Sequence, residues 1–198
     1  KVGLDAGKKV IMMRKKIREM IAYLGGKVIH PVFGLPGGVS KGIAPIDLVK
    51  FEEIAKDALD FAKFTQDVFR DIVLKNEVYM NIITSNTYTH KTYYMGMVDE
   101  NNKVNFYDGK IRVVDTKGKE FVKFNGGEYL EHVAEHVEPW SYVKFCYLKK
   151  LGWKGFKDGE GTSIFSVAPL ARLNASDGMA TPEAQKAYEE YFSTLGGK

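Results

Sequence analysis

The spacing of the apolar residues changes once along this chain, and the change decides its fold class. From about residue 8 to 24, Val10, Met13, Ile17, Met20, Ile21 and Leu24 recur at steps of three and four, the stripe of an amphipathic helix. Gly25-Gly26 ends it, as glycine just past a helix commonly does. Leu48, Phe51, Ile54, Ala58, Phe61, Val68, Phe69 and Ile72 continue the same period over about 46–74, with Pro45 suited to the first turn and Asp47 to the positive end of the dipole. At ~1.5 Å per residue that helix is about 43 Å long, more than one small domain needs. After residue 76 the period falls to two. Segments 93–98, 104–107, 111–114 and 120–124 are short, aromatic and β-branched, and turn residues separate them. The pattern predicts an α+β fold: part of a long-helix bundle over 1–76, then an antiparallel β-meander with short helices over 77–198. Asp108-Gly109 signals a two-residue hairpin, and 77–90 fits helix or strand.

Between the two helices lies an irregular stretch, His30-Pro31-Val32-Phe33-Gly34-Leu35-Pro36-Gly37-Gly38-Val39-Ser40-Lys41-Gly42. Pro31 pushes His30 out of the helical region, and Pro36-Gly37 is the pair a type II turn wants. The glycines let another backbone or a cofactor come close. A plain inter-helix connection needs only a few residues. Two readings stand: a structural corner with His30 as a buried, hydrogen-bonded histidine, or a loop shaped by something it holds.

Composition narrows the function classes. With 44% hydrophobic and 27% charged residues the chain is an ordinary globular protein. A net charge of +4 on scattered lysines does not indicate a nucleic-acid binder. Cys146 is the single cysteine, which excludes an internal disulfide and an all-cysteine metal site made by this chain alone. No apolar run reaches the roughly 18 residues of a membrane span, so a reducing, cytoplasmic setting is expected. The chain enters a helical pattern almost at Lys1 and stops at Gly196-Gly197-Lys198, as expected of a segment of a longer protein or of a processed one.

Three further constellations call for weighing. Residues 127–137 read as a short acidic helix carrying His132 and His136 four apart, a spacing that can share a metal. Val133 stands where a zinc-protease helix has its glutamate, and a third ligand is missing, so an exposed helix with Glu–His neighbours competes. Residues 140–153 interleave Trp140, Tyr142, Phe145, Tyr147 and Trp153 with Lys144, Lys149 and Lys150. Such a pattern stacks single-stranded bases or packs with snorkelling lysines. Arg172, between Leu170, Ala171 and Leu173, is a candidate buried arginine needing a carboxylate or several carbonyls. Pro182 opens a last helix with Thr181 as its cap.

The segments together resemble a family. The stretch from His30 to Val39, Tyr93-Tyr94-Met95-Gly96-Met97-Val98-Asp99, Asn105-Phe106-Tyr107-Asp108-Gly109, Glu138-Pro139-Trp140-Ser141-Tyr142 and Ala168-Pro169-Leu170-Ala171-Arg172-Leu173-Asn174 look like motifs of nickel–iron hydrogenase large subunits, in the family's order. The spelling is most similar to the F420-non-reducing, viologen-reducing type of archaea and some anaerobic bacteria. The resemblance covers nearly the whole chain. Both Cys-x-x-Cys pairs that bind the family's Ni–Fe centre are absent, so it implies the middle of a large subunit without its metal-bearing ends.

That resemblance implies a parent enzyme that reversibly oxidises H2 at a Ni–Fe centre and passes electrons to an iron–sulfur small subunit. The chain alone is then expected to hold no cofactor, no metal and no catalytic residue. His30 would tune the partner's iron–sulfur cluster by hydrogen bonding without ligating it. Arg172 would be structural, and Lys41 receives no role. Expected partners are H2 and the iron–sulfur small subunit, with no nucleic acid and no membrane; the isolated chain is expected to self-associate. The reading from a different class is a stand-alone α+β binding or scaffold module without catalytic activity.

Overall fold

A computed structural model describes residues 3–194. The chain divides into two compact units, 1–87 and 88–198, and has the expected α+β content.

The first unit is a helical pair. Helix α1 (Leu4–Gly25) and helix α2 (Pro45–Val68) pack along the predicted stripes, with Met13, Phe51 and Ile54 buried. The α2 stripe runs on through a wider, π-helical turn (Phe69–Leu74). The ambiguous residues after it are helical: Asn76 caps α3 (Glu77–Thr84) by accepting a hydrogen bond from the Tyr79 amide. The division between units therefore falls after Thr87, not at residue 76. Gly25 closes α1 at a point of near contact. A Cβ there would sit 2.3 Å from Cβ of Pro31, because the chain doubles back and the Val32 amide bonds the Gly25 carbonyl at 3.1 Å. Gly26 follows with φ 77°, and its amide caps Ala22.

The second unit is built on a four-stranded sheet in the order β5–β4–β3–β8. Strands β3 (Tyr93–Val98), β4 (Lys110–Val114) and β5 (Glu120–Phe124) form the antiparallel meander. Residues 104–107 do not form the fourth strand. Asn105 holds them in a side-chain turn instead, its Oδ1 accepting from the amides of Tyr107 and Asp108. Asp108-Gly109 thus lies in a long connection and not in a two-residue hairpin. The fourth strand is β8 (Phe165–Ser166), parallel to β3.

The predicted helix over 127–137 is also corrected. Only its first part is helical: a 3-10 turn (Gly126–Glu128), opened by a reciprocal cap between Asn125 and Glu128 that holds the Glu128 carboxyl below its usual range, runs into α4 (Tyr129–His132). The chain then becomes β6 (Val133–Val137), paired with β7 (Lys144–Leu148) in a hairpin of their own. Val133 and Val137 are β-branched, and pairing with β7 outweighs helix propensity there. Helix α5 (Pro169–Ala175) and helix α6 (Pro182–Thr194) complete the unit.

Period two sorts the sheet into two faces. Tyr93 and Met95 of β3 share one face with Val113 of β4, and they pack with Phe124 and Leu148 into the core. Gly96 and Arg112 share the other face, under α5. At Gly96 the bare Cα lets the helix approach: a Cβ would meet the Arg172 backbone at 3.2 Å. Arg112, 8% exposed, is the buried arginine of this unit. It donates to Glu120 at 2.8 Å, to the Ala175 carbonyl at 3.1 Å and to Asp177 at 3.0 Å. Its guanidinium joins the sheet to the end of α5.

Two outcomes follow from these packings. Gly25→Ala should destabilise the first unit by about 2 kcal/mol, the cost of forcing a methyl into a filled space, seen as a lowered denaturation midpoint. Arg112→Ala should cost about 3 kcal/mol because it leaves polar partners around a void, whereas Glu120→Gln, at a half-exposed site, should cost about 1 kcal/mol or less. Equal losses for the two variants would contradict the central place given to Arg112.

Candidate functional site

The irregular stretch of the first unit is anchored from one residue, Tyr23 of α1. Its hydroxyl donates to Asp47 Oδ2 at 2.7 Å and accepts from the Ala44 amide at 3.3 Å, and its ring meets Phe51 edge-on at 5.0 Å. The bond to Asp47 raises the tyrosine's pKa. Lys41 lies 3.7 Å from the ring centre and donates to the Tyr23 carbonyl at 3.2 Å. Lys41, which the sequence left without a role, therefore closes the loop against the helix that starts it.

Inside that frame the chain forms a miniature hairpin. Strands β1 (Gly34–Leu35) and β2 (Gly38–Val39) pair around Pro36-Gly37, with Gly37 at φ 83° as the type II turn requires. The Ser40 amide bonds the Phe33 carbonyl at 2.8 Å and shuts the hairpin. His30 is exposed, which excludes the buried-histidine reading, and its backbone is left-handed at φ 53°. Pro31 had predicted an extended His30; the return of the chain onto Gly25 overrides that preference. A non-glycine residue in this region costs on the order of 1 kcal/mol, and such strain gathers at functional sites. Ala168, at φ 82°, is another such residue, and it also lies in one of the five motifs. Ile29, Val32, Leu35 and Val39 around His30 are all more than half exposed.

The other candidates resolve differently. His132 stacks on Phe124 at 4.1 Å, and His136 stacks on Trp153 at 4.2 Å while bonding Glu138 at 2.9 Å. One sits in α4 and the other in β6, so they do not share a helical face. Among the described residues no group of three or more His, Cys, Asp or Glu is placed to hold a metal ion. Trp153 also meets Tyr147 and Phe156, and Phe156 meets Phe145 and Trp140. Lys144 pairs with Glu135, and Lys149 bonds the Leu130 carbonyl. Trp140, Phe145, Tyr147 and Trp153 pack on one another and on Phe156, while Tyr142 is fully exposed, so the five do not form an open row for stacking bases. Arg172 is half-buried over the Phe106 ring at 5.1 Å; the buried fork belongs to Arg112. Alternation between Ile111 and Val113 places Arg112 on the opposite face of β4, and its burial comes from α5, which no local pattern reveals. Tyr23 had no signal beyond its place in the last turn of α1. No described helix is long and apolar enough to cross a membrane.

No family model matches the chain. Over 195 residues it is 49% identical to a protein of Archaeoglobus profundus named as the iron-sulfur subunit of an F420-non-reducing hydrogenase, covering 98% of this chain and 40% of that protein. It is 37% identical over 192 residues to a vhu subunit of the F420-non-reducing hydrogenase of Methanocaldococcus jannaschii, covering 97% and 43%. It is 30% identical over 200 residues to the HoxS beta chain of the NAD-reducing hydrogenase of Cupriavidus necator, covering 98% and 39%. The chain thus spans well under half the length of these relatives. A crystal structure of an NAD+-reducing NiFe hydrogenase in the H2-reduced state shares the fold, with a TM-score of 0.75 at 24% identity over 95% of this chain and 40% of that one.

These findings correct the reading of the chain as the middle of a nickel–iron large subunit. The relative at 49% identity is named an iron–sulfur subunit, so the assignment to a catalytic large subunit, its Ni–Fe centre and the expectation of no cofactor lose their basis. The iron–sulfur name attaches to the relative itself and not to a partner of it. An iron–sulfur cluster needs roughly four thiolates. Cys146, exposed on β7, is the single cysteine, and the described residues gather no other ligand set. The residues present do not fit a cluster held by this chain alone, and no chemistry of the site runs through one. The similarity is to subunits of hydrogenases.

Proposed function

We propose that the chain belongs to a cytoplasmic subunit of an F420-non-reducing hydrogenase and works with other subunits in H2-linked electron transfer. The observation that carries this is the 49% identity to the Archaeoglobus profundus protein over 98% of the chain. On this reading the chain's own residues serve assembly and positioning. Arg112 and Tyr23 fix the two units internally, and the exposed apolar loop around His30 meets a neighbouring subunit. A tagged copy of the protein, expressed anaerobically in a host that makes such a hydrogenase, should co-purify with the other subunits and yield H2-dependent viologen reduction. A tagged protein recovered free of every hydrogenase subunit would overturn the proposal.

His30 is the residue of this chain proposed to touch the electron path. Exposed, and held by Pro31 and the hairpin behind it, it can donate a ring N–H to an acceptor outside the chain, such as the sulfide of an iron–sulfur cluster in the assembly. A hydrogen bond to sulfur favours the reduced, more anionic cluster. His30→Ala should therefore shift one cluster's midpoint potential to more negative values in redox titrations followed by electron paramagnetic resonance, with the assembly intact. His30→Gln should restore part of the shift. Unchanged potentials for every cluster would remove His30 from that role.

A further inference from the structure

Arg172 is a half-buried cation that the fold holds firmly and leaves without a counter-charge. Two packings fix it. Its stem lies on the sheet, where a Cβ added at Gly96 would meet Cγ of Arg172 at 3.4 Å. Its guanidinium lies 5.1 Å from the centre of the Phe106 ring. Among the described residues no carboxylate and no carbonyl accepts from that guanidinium. Asp108, two residues past Phe106, is taken by Asn105 at 2.7 Å, while Glu120 and Asp177 are taken by Arg112. No side-chain nitrogen among the described residues is both unbonded and sealed from water, so the donors of Arg172 open to the surface. A guanidinium resting on a ring keeps its N–H groups in its own plane, where they match the two oxygens of a carboxylate.

The ring under it is set in place as well. Asn105 Oδ1 accepts from the Tyr107 and Asp108 amides, and the Asn105 amide bonds the Met97 carbonyl at 3.1 Å. On the far side a Cβ at Gly109 would fall 2.5 Å from the Asn105 carbonyl, which leaves the turn no slack there. This rigid turn nevertheless presents Phe106 at 69% and Tyr107 at 95% exposure. Arginine beside exposed aromatic rings is the composition of an interface centre, and groups already held lose little freedom on binding. A free anion would meet one cation in open water, a contact of little worth. An acidic side chain on a docking protein covers the rings and excludes water from the same pair, which strengthens it.

Resting on the hydrogenase-subunit reading, we propose that Arg172 on its Phe106 shelf receives an aspartate or glutamate side chain of a neighbouring subunit. The guanidinium donates two N–H bonds to the carboxylate, and the partner covers Phe106 and Tyr107. The test uses the assembly purified through a tagged copy of this chain. Phenylglyoxal, which modifies accessible arginines, should react with Arg172 about tenfold more slowly in the assembly than in the chain alone, since interface centres exclude solvent. In Arg172→Lys, zero-length carbodiimide coupling should join this position to an Asp or Glu of a neighbouring subunit, located by mass spectrometry. Arg172→Met keeps a stem over Gly96 but no fork, and should weaken subunit association by about tenfold or more on dilution. Equal reactivity of Arg172 in an assembly that does form overturns the proposal and leaves the hydrogenase reading in place. Protection without a carbodiimide link, and with association unweakened in Arg172→Met, also overturns it, because the arginine is then merely covered. Protection of Arg172 in the chain alone by acetate or inorganic phosphate overturns it in favour of a free anion. If no hydrogenase subunit co-purifies, the broader reading falls and the proposal falls with it.

Discussion

The guanidinium of Arg112 is the constraint on which the second unit depends. It sits on the face of the sheet that carries Gly96, beneath α5, and is nearly cut off from water. A charge in that place is tolerable only if its donors are used. Here they reach a carboxylate on the neighbouring strand, another beyond α5 and the last carbonyl of that helix. The helix C-terminus adds its own negative end. Asp177 in turn accepts from Asn102, and Lys123 reaches Asn102 and the Asp99 carbonyl. One buried cation thereby ties together α5, β5 and, through Asp177 and Asn102, the turn at 99–102.

The first unit rests on a lighter device. A core of Met13, Phe51 and Ile54 gives two helices a common stripe but little depth. Tyr23 compensates at one end, where its hydroxyl and ring hold the start of α2 and its carbonyl holds Lys41. The loop between is free of regular structure except for its six-residue hairpin, so its shape follows from its ends. Strain at His30 is sustained because Gly25, Pro31 and Val32 are locked together behind it.

Helices and meander were legible because each repeats its period over many residues, so a single misleading position is outvoted. The hairpin at 34–39 was legible for a local reason, the Pro-Gly pair. Misreadings came where a long-range partner decides. Residues 133–137 carry a helical histidine spacing, yet β7 supplies hydrogen bonds that no local pattern reveals. Asn105 replaces a strand with a side-chain turn, and Arg172 draws attention that belongs to Arg112. The candidate site was half legible. His30 stood out through its proline and glycines, whereas Tyr23 acts through a partner 24 residues away, beyond any window that sequence reading uses.

The parallel pairing of β8 with β3 has a consequence for the order in which the second unit forms. Tyr93 pairs with Phe165, so the meander is synthesised long before its fourth strand exists. Antiparallel neighbours joined by short turns assemble quickly, while distant parallel pairs wait on loop closure. During translation β3, β4 and β5 can associate as they emerge, but Arg112 then has Glu120 as a partner and neither Ala175 nor Asp177. Its charge remains in water until the ribosome has passed that point. Burial of the guanidinium is therefore a late event, and docking of α5 marks the moment when a loose three-stranded ribbon becomes a two-layered unit.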